Sequence, residues 1–197
     1  MTVGLLGRER EVLGVVNRVA VLVVESRLDR VSHDLRIGVL ALQGAFREHV
    51  EALRGLGADV LEVRLPEELA GLDEAVRSFT GPVLGTCAGM IVVDREHLDL
   101  ADLVVDRNAY GRQVSSFEAD VELAGDAIPL RGVFIRAPRI RSLGADVEVL
   151  GELEGEPVLV RDGRFLLASF HPELTDDRRV HEQFLTMVEE ASSVGSL

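Results

Sequence analysis

Lysine is missing from this 197-residue chain: its 21 basic residues are all arginine, against 34 Asp and Glu, for a formal net charge of −13. A field of that sign repels phosphate backbones and anionic headgroups, so neither nucleic acid nor a membrane surface is expected as a partner. Otherwise the acidic excess reads as a solvated surface. No apolar run approaches the roughly 20 residues that span a bilayer. The opening "MTVGLLGRER" is too short in its apolar part for a secretory signal. A single cysteine excludes an internal disulfide, and no Cys/His cluster has the spacing of a zinc site. A reducing, cytoplasmic setting is the default expectation, with no metal and no cofactor. Internal repeats and low-complexity tracts are lacking too.

What is present suits one domain: 47% of residues are hydrophobic, ample for a core. From Arg36 the pattern alternates strand and helix. "RIGVLAL" is a continuous apolar run, and "AFREHVEALRGLG" follows with Phe46, Val50, Leu53 and Leu56 on one helical stripe, stopped at Gly57. "DVLEVRL" and "GPVLGT" read as further strands, "PEELAGLDEAVRSF" and "AGMIVVDREHL" as helices. This order predicts an α/β fold with a mostly parallel central sheet flanked by helices. Beyond Asp102 strands dominate: "DLVVDRN", "SFEADVEL", "GVFIRA", "DVEVLGEL" and "PVLVRDGRFLLASF". In the last, Asp162-Gly163 marks an added β-hairpin. A final helix, "RRVHEQFLTMVEEA", carries Val180, Phe184, Met187 and Val188 on one face. The expected division is a domain over 36–191, a loose tail over 192–197, and residues 1–35 standing apart.

The lone cysteine lies in Gly85-Thr86-Cys87-Ala88-Gly89, a G-x-C-x-G after a strand and before a helix. That is a nucleophile elbow with sulfur in place of a hydroxyl. Small neighbours allow a sharp turn that lifts the side chain out of the sheet. The helix N-terminus then favours a thiolate and offers N–H groups to an oxyanion. A buried structural cysteine is the bland alternative. Of five histidines, His33, His49, His97 and His181 lie in polar or helical stretches with no special setting. His171 ends the apolar strand "RFLLASF", where parallel-sheet enzymes place their sites. Glu173 in "HPEL" is placed to orient it as the third member of a triad.

Taken together, "IGVLALQG", "GTCAGM", "RNAYGRQ", "SFEAD", "GVFIRAP" and "SFHPEL" resemble the glutaminase subunits of pyridoxal 5′-phosphate synthases. These are class I, triad-type glutamine amidotransferases of flavodoxin-like fold, and the resemblance covers about residues 36 to 190. G-x-C-x-G and H-P-E belong to the wider superfamily, which includes peptidases and chaperones; "RNAYGRQ" and "FIRAP" are specific to this branch. The resemblance implies a Cys87–His171–Glu173 triad that hydrolyses L-glutamine, with Arg107, Ile135 and Arg136 contacting the substrate. It also implies a synthase (lyase) subunit as partner, to which ammonia is delivered for vitamin B6 biosynthesis.

Two departures stand out. The family's "PGGES"-type segment, which ends a central strand and contributes to the oxyanion hole, has no counterpart: only residues 65–81 separate "VLEVR" from "PVLGT". A catalytically impaired subunit that docks without supplying ammonia is therefore the alternative reading. The chain also carries residues 1–35 ahead of the usual first strand. Within them "RVAVLVVE" has a strand's texture. Residues 19–24 are expected either to insert as a parallel strand beside 37–42 and 82–86, or to belong to a loosely attached extension, the reading slightly preferred.

Overall fold

The computed structural model describes residues 20–24, 36–41, 46–63, 72–107 and 116–194. Its first half comprises β1 (Ala20–Val24), β2 (Arg36–Ala41), α1 (Phe46–Gly55), β3 (Asp59–Val63), α2 (Leu72–Ser78), β4 (Val83–Thr86) and α3 (Ala88–Val93). Then come β5 (Leu103–Asp106), β6 (Phe117–Leu123), β7 (Leu130–Phe134), β8 (Arg139–Leu143), β9 (Glu148–Leu153), β10 (Glu156–Asp162) and β11 (Phe165–Ala168). A 3₁₀ turn at Pro172–Leu174 and the long helix α4 (Arg179–Val194) complete the described chain. α4 thus runs through 192–194, where the sequence suggests a tail.

One nine-stranded sheet, in the order β3-β2-β1-β4-β11-β10-β9-β6-β7, forms the centre, and β5 pairs with β8 in a separate ribbon. The pairs β2–β3 and β4–β11 are parallel, which makes the α/β fold class as expected. The remaining ladders are antiparallel, including the hairpin that turns at Gly163 (φ 53) between β10 and β11.

Side chains on successive strand residues point to opposite faces, and the core divides accordingly. Ile37, Val39, Leu84, Leu166 and Ala168 join the cluster covered by α1 and α4, through residues such as Val50, Leu53, Val180 and Phe184. Val83, Phe165 and Leu167 join the opposite cluster, with Val76 of α2 and the wholly buried α3.

α3 is shorter than its apolar run suggests, because Asp94 halts it. Its buried carboxylate accepts hydrogen bonds from the backbone N–H groups of Glu96, His97 and Val105. A residue that satisfies loop donors so fully ends a helix rather than continuing it. β8 answers no strand expected from the sequence: "RIRSL" is mostly polar and only half-buried on one side. The first half of the expected helix "PEELAGLDEAVRSF" lies outside the described residues.

β1 corrects the sequence reading twice. The segment is inserted, not loosely attached, and it runs antiparallel: Leu22 faces Val39 of β2 on one side and Leu84 of β4 on the other. Only residues 25–35 join β1 to β2. An antiparallel neighbour is reached by a loop at one end, whereas a parallel one needs a crossover along the full strand, and that length sits at its minimum. β1 is thus the one reversed strand among β3, β2, β4 and β11. Both of its edges are occupied, so its amides belong to a central ladder. Hydrogen exchange followed by mass spectrometry should show strong protection over 20–24, slowed with the core strands; free-peptide rates there would contradict the insertion.

Candidate active site

β4 and β11 lie side by side and end together, and the chain turns off each into the same place. At the end of β4 the turn is abrupt: Cys87 has φ 50 and ψ −105, a conformation rare for a side chain-bearing residue. Glycine makes room for it. A Cβ at Gly85 would stand 2.8 Å from Leu167 Cδ2 and 3.1 Å from the Gly89 carbonyl carbon, so strand and helix touch backbone to backbone. The Cys87 N–H donates to Ala168 O at 2.8 Å, locking the elbow onto β11. Ala88 and Gly89 open α3, and their N–H groups have no acceptor within the helix.

At the end of β11, Phe170 is buried against Phe134 (centroids 5.5 Å apart), and the His171 N–H donates to Val133 O at 2.8 Å. The sheet has curled far enough for its edge strand β7 to meet the strand end at β11. That brings Ile135 into the site: its carbonyl oxygen lies 3.7 Å from Cys87 Sγ. The His171 ring has Cys87 acting on it from one side, and on the other its Nδ1 lies 2.7 Å from Glu173 Oε1. Burial acts against the charged ring, but Cys87 and Glu173 together outweigh it and push His171 up to about 10. Glu173 is buried at 4% exposure. Burial opposes its charge as well, and the neighbouring His49 and His171 rings outweigh it, holding the carboxyl below its ordinary value. Cys87, His171 and Glu173 therefore meet in one partly buried set, in which His171 and Glu173 are ion-paired.

Arg136 follows Ile135 in an exposed, left-handed turn (φ 47). Arg107 sits half-buried, one residue beyond β5. Two histidines that look unremarkable in sequence belong to the site. His49 of α1 and His181 of α4 are both fully buried, with His49 Nε2 3.2 Å from Glu173 Oε2 and His49 Nδ1 3.1 Å from His181 Nε2. A sequence signal existed: each lies on the apolar stripe of its helix, His49 beside Val50 and His181 beside Val180. His97 instead bonds Asp94, and His33 lies outside the described residues. Among the described residues no group of His, Cys, Asp and Glu is arranged to hold a metal, and no helix is long and apolar enough to cross a membrane.

An α/β sheet with a strained cysteine elbow at one strand end and a His-x-Glu pair at the next defines a cysteine-dependent acyl-transfer class of protein. Within that class the chain belongs to the SNO glutamine amidotransferase family, whose model matches residues 72–190. It is 43% identical over 190 residues to the pyridoxal 5′-phosphate synthase subunit PdxT of Shouchella clausii, covering 80% of this chain and 97% of that one. The PdxT subunit of Thermotoga neapolitana is 44% identical over 187 residues, covering 78% and 100%. A crystal structure of a glutamine amidotransferase superposes with a TM-score of 0.65 at 42% identity, over 76% of this chain and 97% of that one. In the first match 80% of this chain is about 158 residues against 190 aligned, so about 30 residues of the relative face a gap here. That agrees with the missing segment before β4.

Two outcomes follow from this geometry. Gly85→Ala forces a Cβ onto the Gly89 backbone and should destabilise the fold by about 1–3 kcal/mol in urea unfolding. The second concerns acid. Burial, and then the His49 ring, lower His181 to about 3, from 6.5 in an exposed chain. The unfolded chain therefore takes up this proton first, and stability present above pH 6.5 is lost as pH falls towards 3. His181→Leu should flatten the melting temperature over that window; an unchanged acid slope would count against the buried neutral ring.

Proposed function

We propose that this chain is the glutaminase subunit of a pyridoxal 5′-phosphate synthase, hydrolysing L-glutamine to glutamate and ammonia with Cys87, His171 and Glu173. One observation carries the reading: the Cys–His–Glu set at the ends of β4 and β11, in a chain matching PdxT subunits over nearly their whole length.

Each step of the proposed reaction has a group suited to it. Cys87, as the thiolate paired with the His171 imidazolium, attacks the side-chain amide carbon of glutamine. The carbonyl oxygen gathers charge in front of the Ala88 and Gly89 N–H groups at the start of α3. His171 gives its proton to the departing nitrogen, and ammonia leaves a γ-glutamyl thioester. Forming the thioester removes the Cys87 hydrogen bond and charge that hold the ring protonated. The neutral ring then takes a proton from water, which attacks the thioester and releases glutamate. Glu173 holds Nδ1 throughout, fixing the tautomer. Arg107 and Arg136 are suited to the substrate's α-carboxylate, and Ile135 offers its backbone beside Cys87.

In this reading 36–191 form the amidotransferase unit, residues 1–35 are an appended segment that contributes β1, and the unit works in the cytoplasm. The acidic chain has no use for nucleic acid or membrane, and its partner is the synthase subunit that consumes the ammonia. A subunit that only docks is the weaker reading. A left-handed cysteine and a buried ion pair each act against stability, and docking needs neither.

Glutamate release by the purified chain, alone and with a synthase subunit, tests the assignment. The isolated chain should be slow, because the usual oxyanion segment is missing, and the partner should raise its rate. Cys87→Ala should lower hydrolysis by about a thousandfold or more without loss of fold. A glutamine-mimicking chloroketone should label Cys87. Absence of labelling in the complex would leave the docking role instead.

A further inference from the structure

The triad accounts for one oxygen of Glu173 and leaves the other. Oε1 faces His171; Oε2 is turned into the protein, fully buried, and accepts no hydrogen bond. The group that faces it is His49 Nε2, 3.2 Å away. Thr86 Oγ1 lies 3.4 Å from the same nitrogen, and His181 Nε2 lies 3.1 Å from the other. His49, His181 and Thr86 are each 2% exposed or less.

The ring protons of this cluster can be assigned by elimination. Burial lowers both rings from their ordinary value, so each carries one proton. Suppose His49 held its proton on Nδ1 and donated to His181. Its Nε2 lone pair would then face a carboxylate oxygen, and His181 would carry its own proton on Nδ1. That Nδ1 is buried with no partner, and an orphaned buried N–H is among the rarest defects in proteins. The opposite assignment removes both faults. His181 Nε2–H donates to His49 Nδ1, the His49 proton sits on the Nε2 that lies 3.2 Å from Glu173 Oε2, and the orphaned atom is a bare lone pair.

We propose that His49, itself oriented by His181, is a positioning residue for Glu173, which extends the triad inward to helices α1 and α4 as one directed hydrogen-bond chain. This rests on the triad reading given above. The function would be mechanical and electrostatic. A carboxylate held at one oxygen can swing about its own axis; held at both, it keeps Oε1 on His171 Nδ1 and so keeps the ring aimed at Cys87. His49 does this without taking the charge from Glu173, because burial favours its neutral ring and leaves the proton with it. The charged and titratable groups that act on His49 are Glu173 and His171 at the strand end and Glu48 on its own helix, and His181 of α4 is hydrogen-bonded to its Nδ1. Arg178 acts on His181.

Imidazole nitrogen NMR on the full chain reads the assignment directly. His49 and His181 should both appear as neutral Nε2–H tautomers at neutral pH, each titrating below an exposed histidine. A His49 carrying its proton on Nδ1, or titrating near 6.5, would overturn the proposal. The functional arm compares His49→Leu with His49→Gln, whose amide N–H can reach Oε2. The Leu variant should lose about ten- to a hundredfold in kcat with KM within about twofold. Its acid limb should move to higher pH, since Glu173 without its donor takes a proton more readily. The Gln variant should recover most of the rate. Equal losses in both variants with an unmoved pH profile would reduce His49 to packing. Alkylation of Cys87 by iodoacetamide across the same pH range reads the His171 alignment without glutamine. A chain lacking glutaminase activity would therefore sink the functional reading, while the alkylation profiles and ring nitrogens would still decide the role of His49.

Discussion

A carboxylate without water is the constraint from which the rest of the site follows. Glu173 is charged and almost entirely enclosed, and an ion so placed is tolerated only if its partners are close and correctly directed. His171 supplies the compensating charge on one side. That ring keeps its proton because Cys87 and Glu173 both act on it, and His171 in turn helps to keep Glu173 ionised. On the other side α1 and α4 each bring a histidine to the buried end. Two helices, two strand ends and a 3₁₀ turn must converge for Glu173 to be charged at all.

The elbow is the complementary device. Cys87 is held in a left-handed conformation that it would leave if free, and it stays there because its surroundings determine it from several directions. Its N–H is taken by Ala168, Gly85 admits the Gly89 backbone at van der Waals contact, and every residue of α3 behind it is buried. The parallel pair β4–β11 is what keeps the two chemical ends in register, with Ala168 facing Thr86.

β1 shows what the middle of a sheet requires of the strand that fills it. A vacancy between β2 and β4 would leave two rows of backbone donors and acceptors unpaired in the interior. Filling it requires hydrogen bonds and length, not a particular direction, and an antiparallel strand supplies both. Reversal does change one thing: β1 starts, rather than ends, at the edge where Cys87 lies.

The amino-acid sequence alone determined the α/β order, the elbow and the presence of Cys87, His171 and Glu173 at neighbouring strand ends. Each of these is a local property: an apolar run, a G-x-C-x-G turn, a histidine two residues from a glutamate at a strand's end. Tertiary structure decided what depends on distant residues meeting. The direction of β1 depended on what lies beside it, and Asp94 ended α3 early because Val105 came within reach. β8 exists because β5 is there to pair with it. His49 and His181, 132 residues apart, carry no sequence mark beyond the apolar stripes of their helices until folding sets one against the other and both behind Glu173. Periodicity can say that a histidine lies on a buried stripe; only packing says what it meets there.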